Sequence, residues 1–172
     1  WGKNIARNLH QLGSLTCIYD SNVKLSQKLS YDYSLPTLEL NKIFKDQNIN
    51  AIVIASPAIT HKDMAIEALK NGKDVFIEKP FCLSLPDAQK LSELATNKNR
   101  ILMVGHLLNY HNAFIKMKEL IKNGKIGVPQ NIRANRLSLG TIRSEESVIY
   151  DLSAHDISMI LSIVKELPID IN

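Results

Sequence analysis

Cysteine is scarce in this chain of 172 residues: there are two, Cys17 and Cys82, each among apolar neighbours. No pair of cysteines or histidines has zinc-finger spacing, so a finger-type metal domain is excluded and no metal site is expected. Two isolated thiols read as reduced cysteines of a cytoplasmic protein. No apolar run approaches the roughly 20 residues of a membrane span. The opening Trp1-Gly2-Lys3-Asn4 has neither a methionine nor the charged-then-apolar pattern of a signal peptide. Low-complexity stretches, repeats and flexible linkers are lacking too. Basic residues exceed acidic ones by 21 to 17, a net charge of +4. No basic run is dense enough, or interleaved with aromatics, to argue for nucleic acid. The surplus is either a solvated basic surface or an attraction for phosphorylated ligands.

What is present is a globular balance, 45% apolar and 22% charged, sufficient for a packed core in one domain or one and a half. Helix and strand signals alternate at short spacing. Ile5, Leu9 and Leu12 recur at helical spacing until Gly13 stops them. Residues 15–19 read as a strand and residues 21–29 as a short helix. Tyr33 begins a brief strand or loop, and Thr37 caps a helix to about Lys45. Ala51-Ile52-Val53-Ile54-Ala55 is a continuous apolar run, the pattern of a strand covered on both faces. Thr60-His61-Lys62-Asp63 resembles a capping box with Asp in place of Glu, opening a helix that runs to Lys70 and stops at Asn71-Gly72. Asp74–Ile77 is the next strand. Ser84 caps a helix with Pro86 in its first turn. Residues 101–104 form a further strand, and residues 114–122 a helix ended by Asn123-Gly124. This βα alternation predicts an α/β fold with a parallel sheet and helices on both faces. The style changes beyond about residue 125: residues 131–139 alternate like a long, half-exposed strand, residues 151–164 read as a helix, and Pro168-Ile169-Asp170-Ile171 opens another element. The domain change falls within 105–125.

Chemistry concentrates at a few positions. Glu78-Lys79-Pro80 ends the strand Asp74–Ile77, which sets an ammonium group at a strand's carboxyl end, the edge where open α/β sheets bind ligands. Pro80 biases Lys79 toward an extended backbone. Lys79 is either a proton-handling group or a solvated lysine; Glu78 pairs with a cation or orients the loop. Gly2 opens the first helix and Asp20 follows 18 residues later at the end of the next strand. That spacing fits an acidic residue meeting the adenosine ribose of a dinucleotide, and equally a packing glycine with a turn aspartate. An acidic Asp20 there favours NAD over NADP. Ser56 and Pro57 lie in the loop after the apolar strand, and His61 enters the next helix. The loop either passes under a cofactor or holds a locally bonded first-turn histidine. Asp151 and His155 are four apart and share a helical face. They are either a carboxylate orienting an imidazole that takes a proton from an alcohol, or a surface pair on a capped helix. His106 and His111 bracket Asn109-Tyr110 and are candidates to line a cleft between domains.

Together these residues resemble the glucose–fructose oxidoreductase/inositol dehydrogenase (Gfo/Idh/MocA) family. The matching pieces are Gly2-Lys3-Asn4, Asp20, Ala55-Ser56-Pro57 with His61, Glu78-Lys79-Pro80, Val104-Gly105-His106 and Asp151 through Asp156, in the family's order. The resemblance implies a Rossmann-type doubly wound NAD-binding domain over 1–105, with its first strand and first two glycines missing and Gly2 as the third glycine of the fingerprint. It implies that 106–172 begin an α+β substrate and dimerisation domain with an open sheet. Gly2, Asp20, Ser56, Pro57, His61, Glu78 and Lys79 would meet the cofactor. Residues 105–111 and 135–143, with Glu145-Glu146, are similar to members acting on UDP-linked amino sugars. That likeness offers His106, Tyr110, Arg136, Arg143 and Asp156 as substrate contacts. Asn112 stands where those members usually have proline, and an arginine common near Asn109 is absent.

The reading that results is an NAD-dependent cytoplasmic dehydrogenase, a homo-oligomer when full-length, that oxidises C3 of a UDP-linked N-acetylamino sugar. His155 takes the hydroxyl proton, Lys79 stabilises the alkoxide and helps relay the proton, and Asp151 or Asp156 orients His155 or the substrate. Two other readings stand beside it: a dinucleotide-dependent sensor on the same fold, and an NAD-dependent glycosidase that oxidises the same carbon transiently. A βαβ sheet needs a central strand before the first helix, and the second portion has too few strands to close a core, so the chain reads as truncated at both ends. Intact mass spectrometry of active material is expected to give a mass well above the 19.3 kDa of this chain; a mass equal to it would overturn that expectation.

Overall fold

The computed structural model describes residues 1–137, 147 and 149–171. They fall into two compact units, Trp1–Val104 and Gly105–Asn172. In the first, α1 (Gly2–Gln11), α2 (Val23–Tyr33) and α3 (Leu40–Lys45) precede β1 (Ala51–Ile54), α4 (His61–Lys70), β2 (Asp74–Ile77), α5 (Leu85–Asn97) and β3 (Leu102–Val104). The second holds α6 (Asn112–Lys122) and α7 (Ala154–Val164).

The strands form a parallel sheet in the order β1-β2-β3. Ile54 registers with Ile77, and Ile77 with Val104. α4 returns the chain from β1 to β2 and α5 from β2 to β3, so all three carboxyl ends come to one edge. Ile52, Ile54, Val75 and Ile77 point to the same buried face. α4 packs there through Ala65, Ala68 and Leu69, all without exposed surface, and α5 adds Leu91 and Ala95. The opposite face is less covered than the apolar run predicts: Val53 and Phe76 are half-buried and Met103 is exposed. β1 thus alternates in burial, where covering on both faces was expected.

Helix ends follow the sequence signals closely. Gly72, at φ +74°, ends α4 with its N–H on the Leu69 carbonyl and the Lys73 N–H on the Ala68 carbonyl. Gly124 repeats this pattern at the end of α6, with the same two bonds to Ile121 and Leu120. The Ser84 hydroxyl caps α5 by accepting from the Asp87 amide. Asn22 caps α2, which starts two residues later than predicted and runs on through Tyr33. Glu39 precedes α3, and Thr37 instead belongs to a bridge.

Several expected elements are shorter or take another form. The strand expected over 15–19 is one parallel bridge, Ile18 to Thr37, with the Ile18 amide on the Pro36 carbonyl and the Leu38 amide on the Ile18 carbonyl. No second ladder flanks it among the described residues, which leaves too few bonds for a strand. Residues 131–137 are exposed and carry no strand pairing, and residues 138–139 of that prediction lie outside the described residues. No element opens at Pro168–Ile171. In the second unit, Phe114 is buried under the Lys118 ammonium, 4.9 Å from its ring centroid, and α7 packs against a 3-10 turn, Leu107–Tyr110. No helix among the described residues is long and apolar enough to cross a membrane.

Leu91 joins α5 to the sheet from a fully buried position. Leu91→Ala is expected to cost about 2–5 kcal/mol of stability, measured by urea unfolding of the intact protein; a loss under about 1 kcal/mol would remove α5 from the core as described.

Candidate active site

The carboxyl edge of the sheet gathers the first unit's candidates. Beyond β1 comes Ala55-Ser56-Pro57, and beyond β2 Glu78-Lys79-Pro80. The Glu78 amide donates to the Ile54 carbonyl at 2.9 Å, which carries the ladder one residue further and holds the two exits side by side. The Lys79–Pro80 peptide is cis, Pro80 is buried and Lys79 is half-buried.

The loop after β1 turns its hydroxyls inward. The Thr60 hydroxyl donates to the Pro57 carbonyl at 2.8 Å, so the Ser56 hydroxyl, 2.6 Å away, donates to Thr60. The Thr60 side chain therefore caps nothing, and the expected capping box does not form; a 3-10 turn, Ala58–Thr60, leads directly into α4. His61 is 1% exposed. Its Nδ1 lies 2.9 Å from the Pro80 carbonyl oxygen and its Nε2 2.9 Å from the Ser56 carbonyl oxygen. The His61 side chain is therefore a strut between two loops and is not presented to a ligand. Of the Ser56-Pro57 stretch, the Ser56 hydroxyl is engaged and Pro57 is exposed.

Glu78 is also an interior residue, 7% exposed. Burial pushes its carboxyl up, against the opposing pull of the Lys79 amide and of the Lys79 charge. The Glu78 side chain lies inside the turn, and Oε2 meets no hydrogen-bond partner among the described residues.

α1 begins beside β1: a Cβ on Gly2 would stand 3.5 Å from the Ala55 Cβ, an ordinary contact. Packing therefore does not require glycine there. No side chain caps α1 and no acidic residue stands in its first turn. A helix start with amide donors and no acidic residue in its first turn fits a dinucleotide's pyrophosphate. Asp20 accepts the Asn22 amide at 2.8 Å, as a turn aspartate does.

In the second unit, Asp151 lies in a π turn, Ile149–Ser153, and His155 in the first turn of α7. The regular four-residue α spacing assumed for the pair does not hold across that junction. His155 is buried and Asp151 half-buried. Arg136 and Asp156 are each other's partners: Nε and Nη2 donate to the two carboxylate oxygens, both at 2.8 Å. The guanidinium holds the Asp156 carboxyl below its ordinary value, and the carboxylate raises Arg136. The pair clamps residue 136 to α7, which is a structural contact where two substrate contacts were expected. Burial lowers His106, and its Nδ1 meets no hydrogen-bond partner among the described residues. Tyr110 is exposed. Arg143 lies outside the described residues. Sequence reasoning missed the link from Asn109 Nδ2 to Ser158 Oγ at 3.3 Å and from Ser158 to the His155 carbonyl at 2.8 Å. The 49-residue separation of Asn109 and Ser158 gives no local signal. No group of three or more His, Cys, Asp or Glu side chains suited to a metal ion occurs among the described residues.

The family model described as oxidoreductase family, NAD-binding Rossmann fold, matches residues 2–106. The chain is 30% identical over 131 residues to 2,7-anhydro-N-acetylneuraminate hydratase of Escherichia coli, covering 74% of this chain and 34% of that protein. It is 32% identical over 120 residues to scyllo-inositol 2-dehydrogenase (NAD(+)) of Bacillus subtilis, covering 67% of this chain and 35% of that protein. The fold resembles the crystal structure of UDP-N-acetylglucosamine 3-dehydrogenase from Acidithiobacillus ferrooxidans with a TM-score of 0.88 and 25% identity, over 98% of this chain and 55% of that one. The matches thus span about a third of these curated relatives and about half of the solved chain.

The raised Glu78 carboxyl sets a sign for stability. The folded state holds this proton more tightly than the unfolded chain, so the contribution is present at acid pH and lost as pH rises past the ordinary carboxylate range. Glu78→Gln removes the buried charge. Its melting temperature is expected to exceed the parent's by a few degrees at neutral pH, with the gap closing on acidification; a gap of opposite sign, or one independent of pH, would contradict the buried-carboxylate description.

Proposed function

The chain belongs to the Gfo/Idh/MocA family of NAD-binding, Rossmann-fold oxidoreductases, and on that premise we propose that the whole protein oxidises a secondary hydroxyl of a sugar, at C3 of a UDP-linked N-acetylamino sugar. The observation that carries the reading is Lys79, set on the carboxyl edge of a parallel sheet within the stretch that the family model matches. The likeness to the UDP-N-acetylglucosamine 3-dehydrogenase supports the choice of sugar.

When bound, NAD supplies the hydride acceptor. The first turn of α1 at Gly2 would hold its phosphates, Ser56-Pro57 would pass under it, and Asp20 would meet the ribose, where a carboxylate repels the 2′-phosphate of NADP. Lys79 donates a hydrogen bond to the hydroxyl oxygen as it becomes an alkoxide. A fixed positive charge aimed at a developing oxyanion contributes about 3–4 kcal/mol in sites of this kind. His155 accepts the hydroxyl proton, and Asp151 holds the imidazole for that task. Residues 106–172 begin the substrate domain, in which His106 and Tyr110 are the remaining sugar contacts. The assembly is a homo-oligomer.

One relative acts as a hydratase by name, which favours a second reading: transient oxidation with no net NADH, as in an NAD-dependent glycosidase. Incubation of the intact protein with NAD and a panel of UDP-sugars separates the two, since NADH accumulates in the first and free sugar is released in the second. Lys79→Ala and His155→Ala are each expected to lower kcat by about 10²–10⁴-fold; parental turnover in both variants rejects the assignment of roles.

A further inference from the structure

His61 makes an arrangement that its place in a helix's first turn does not require. Each ring nitrogen meets a main-chain carbonyl oxygen at 2.9 Å, Ser56 on one side and Pro80 on the other. A carbonyl oxygen only accepts, so a nitrogen at that distance needs a hydrogen to make the contact favourable. A neutral imidazole carries one N–H and would leave the other nitrogen's lone pair facing a carbonyl lone pair, inside a site with 1% exposure. Both contacts are favourable only with a hydrogen on each ring nitrogen.

We propose that His61 is a positioning residue for Lys79, its ring donating from both nitrogens to tie the Ser56 carbonyl to the Pro80 carbonyl and so fix where the Lys79 ammonium is presented. Lys79 is held from both sides. Its own amide donates to the Glu78 carboxylate, and the carbonyl of the next residue is gripped by His61. The other arm of the ring reaches Ser56, in the loop that follows β1. One side chain thereby registers the exits of two neighbouring strands beyond the point where their ladder ends. Histidine suits the task because its two donors point in opposite directions from a rigid ring. Glutamine offers a donor and an acceptor at one end only.

The link to catalysis rests on the dehydrogenase reading above; the hydrogen-bond arrangement does not. Nitrogen-15 NMR of the intact protein with labelled histidine is expected to show two protonated ring nitrogens on His61 at neutral pH. A single protonated nitrogen overturns the proposal, whether or not any sugar is oxidised. In His61→Gln, hydrogen exchange at the Lys79 amide is expected to quicken by about tenfold or more while the Val75 amide in mid-strand keeps its protection. In turnover assays the same variant should lose about tenfold to a hundredfold in kcat. In a Lys79→Ala background it should lose almost nothing further, because its effect passes through Lys79. Unchanged exchange at Lys79, or the same loss of kcat with and without Lys79, refutes the positioning role. A protein with two His61 N–H groups and tightened Lys79 exchange but no turnover on any sugar would retire the dehydrogenase reading alone.

Discussion

Parallel pairing of β1, β2 and β3 is the constraint from which the rest of the first unit follows. A parallel ladder obliges each strand to leave by the same edge, and the register of Ile54, Ile77 and Val104 brings those exits level. The ladder's last bond, from the Glu78 amide to the Ile54 carbonyl, sets the two candidate loops side by side. Apolar burial on one face secures that register, since a slip by one residue would turn Ile52, Ile54, Val75 and Ile77 outward. Core packing and the placement of Lys79 are in this sense one problem.

Polar groups in the first unit are drawn inward to an unusual extent. Lys73 is 3% exposed and its ammonium donates to the Asp46 carbonyl. Glu78 and His61 lie under the opposite edge of the same sheet. Each such group needs a partner, because an unsatisfied polar atom in the interior costs about 1–3 kcal/mol. Main-chain carbonyls at loop ends supply several of the partners. Loops that would otherwise be held only by short-range turns are consequently tied to side chains far away in sequence.

Much of this was legible in the sequence where the determinants are local. Gly72, Gly124 and Ser84 do what their positions in helix ends dictate, and the apolar runs at 51–55 and 74–77 mark β1 and β2. Thr60 misled, because a threonine before a helix has two uses for its hydroxyl, and here the Pro57 carbonyl takes it in place of the helix amides. Residues 15–19 have strand chemistry but meet just one neighbouring segment. Lys79 was recognisable from a strand end followed by proline. The partner of His61 was not, since Pro80 lies 19 residues away and periodicity carries no information at that range. For the same reason Arg136 and Asp156, 20 residues apart, read as two separate ligand contacts although they satisfy each other.

The inward hydroxyls of the loop after β1 carry a consequence for selectivity. With Ser56 directed to Thr60 and Thr60 to Pro57, any molecule resting on this loop meets peptide groups and the apolar side chains of Pro57 and Ile59 rather than a free hydroxyl. Peptide dipoles recognise charge and shape, and they are the same whichever residue bears them. A surface of that sort accepts a common scaffold without distinguishing what is attached to it. Discrimination among substrates then falls to side chains elsewhere, so that the loop can stay constant in form while the chemistry it serves diversifies.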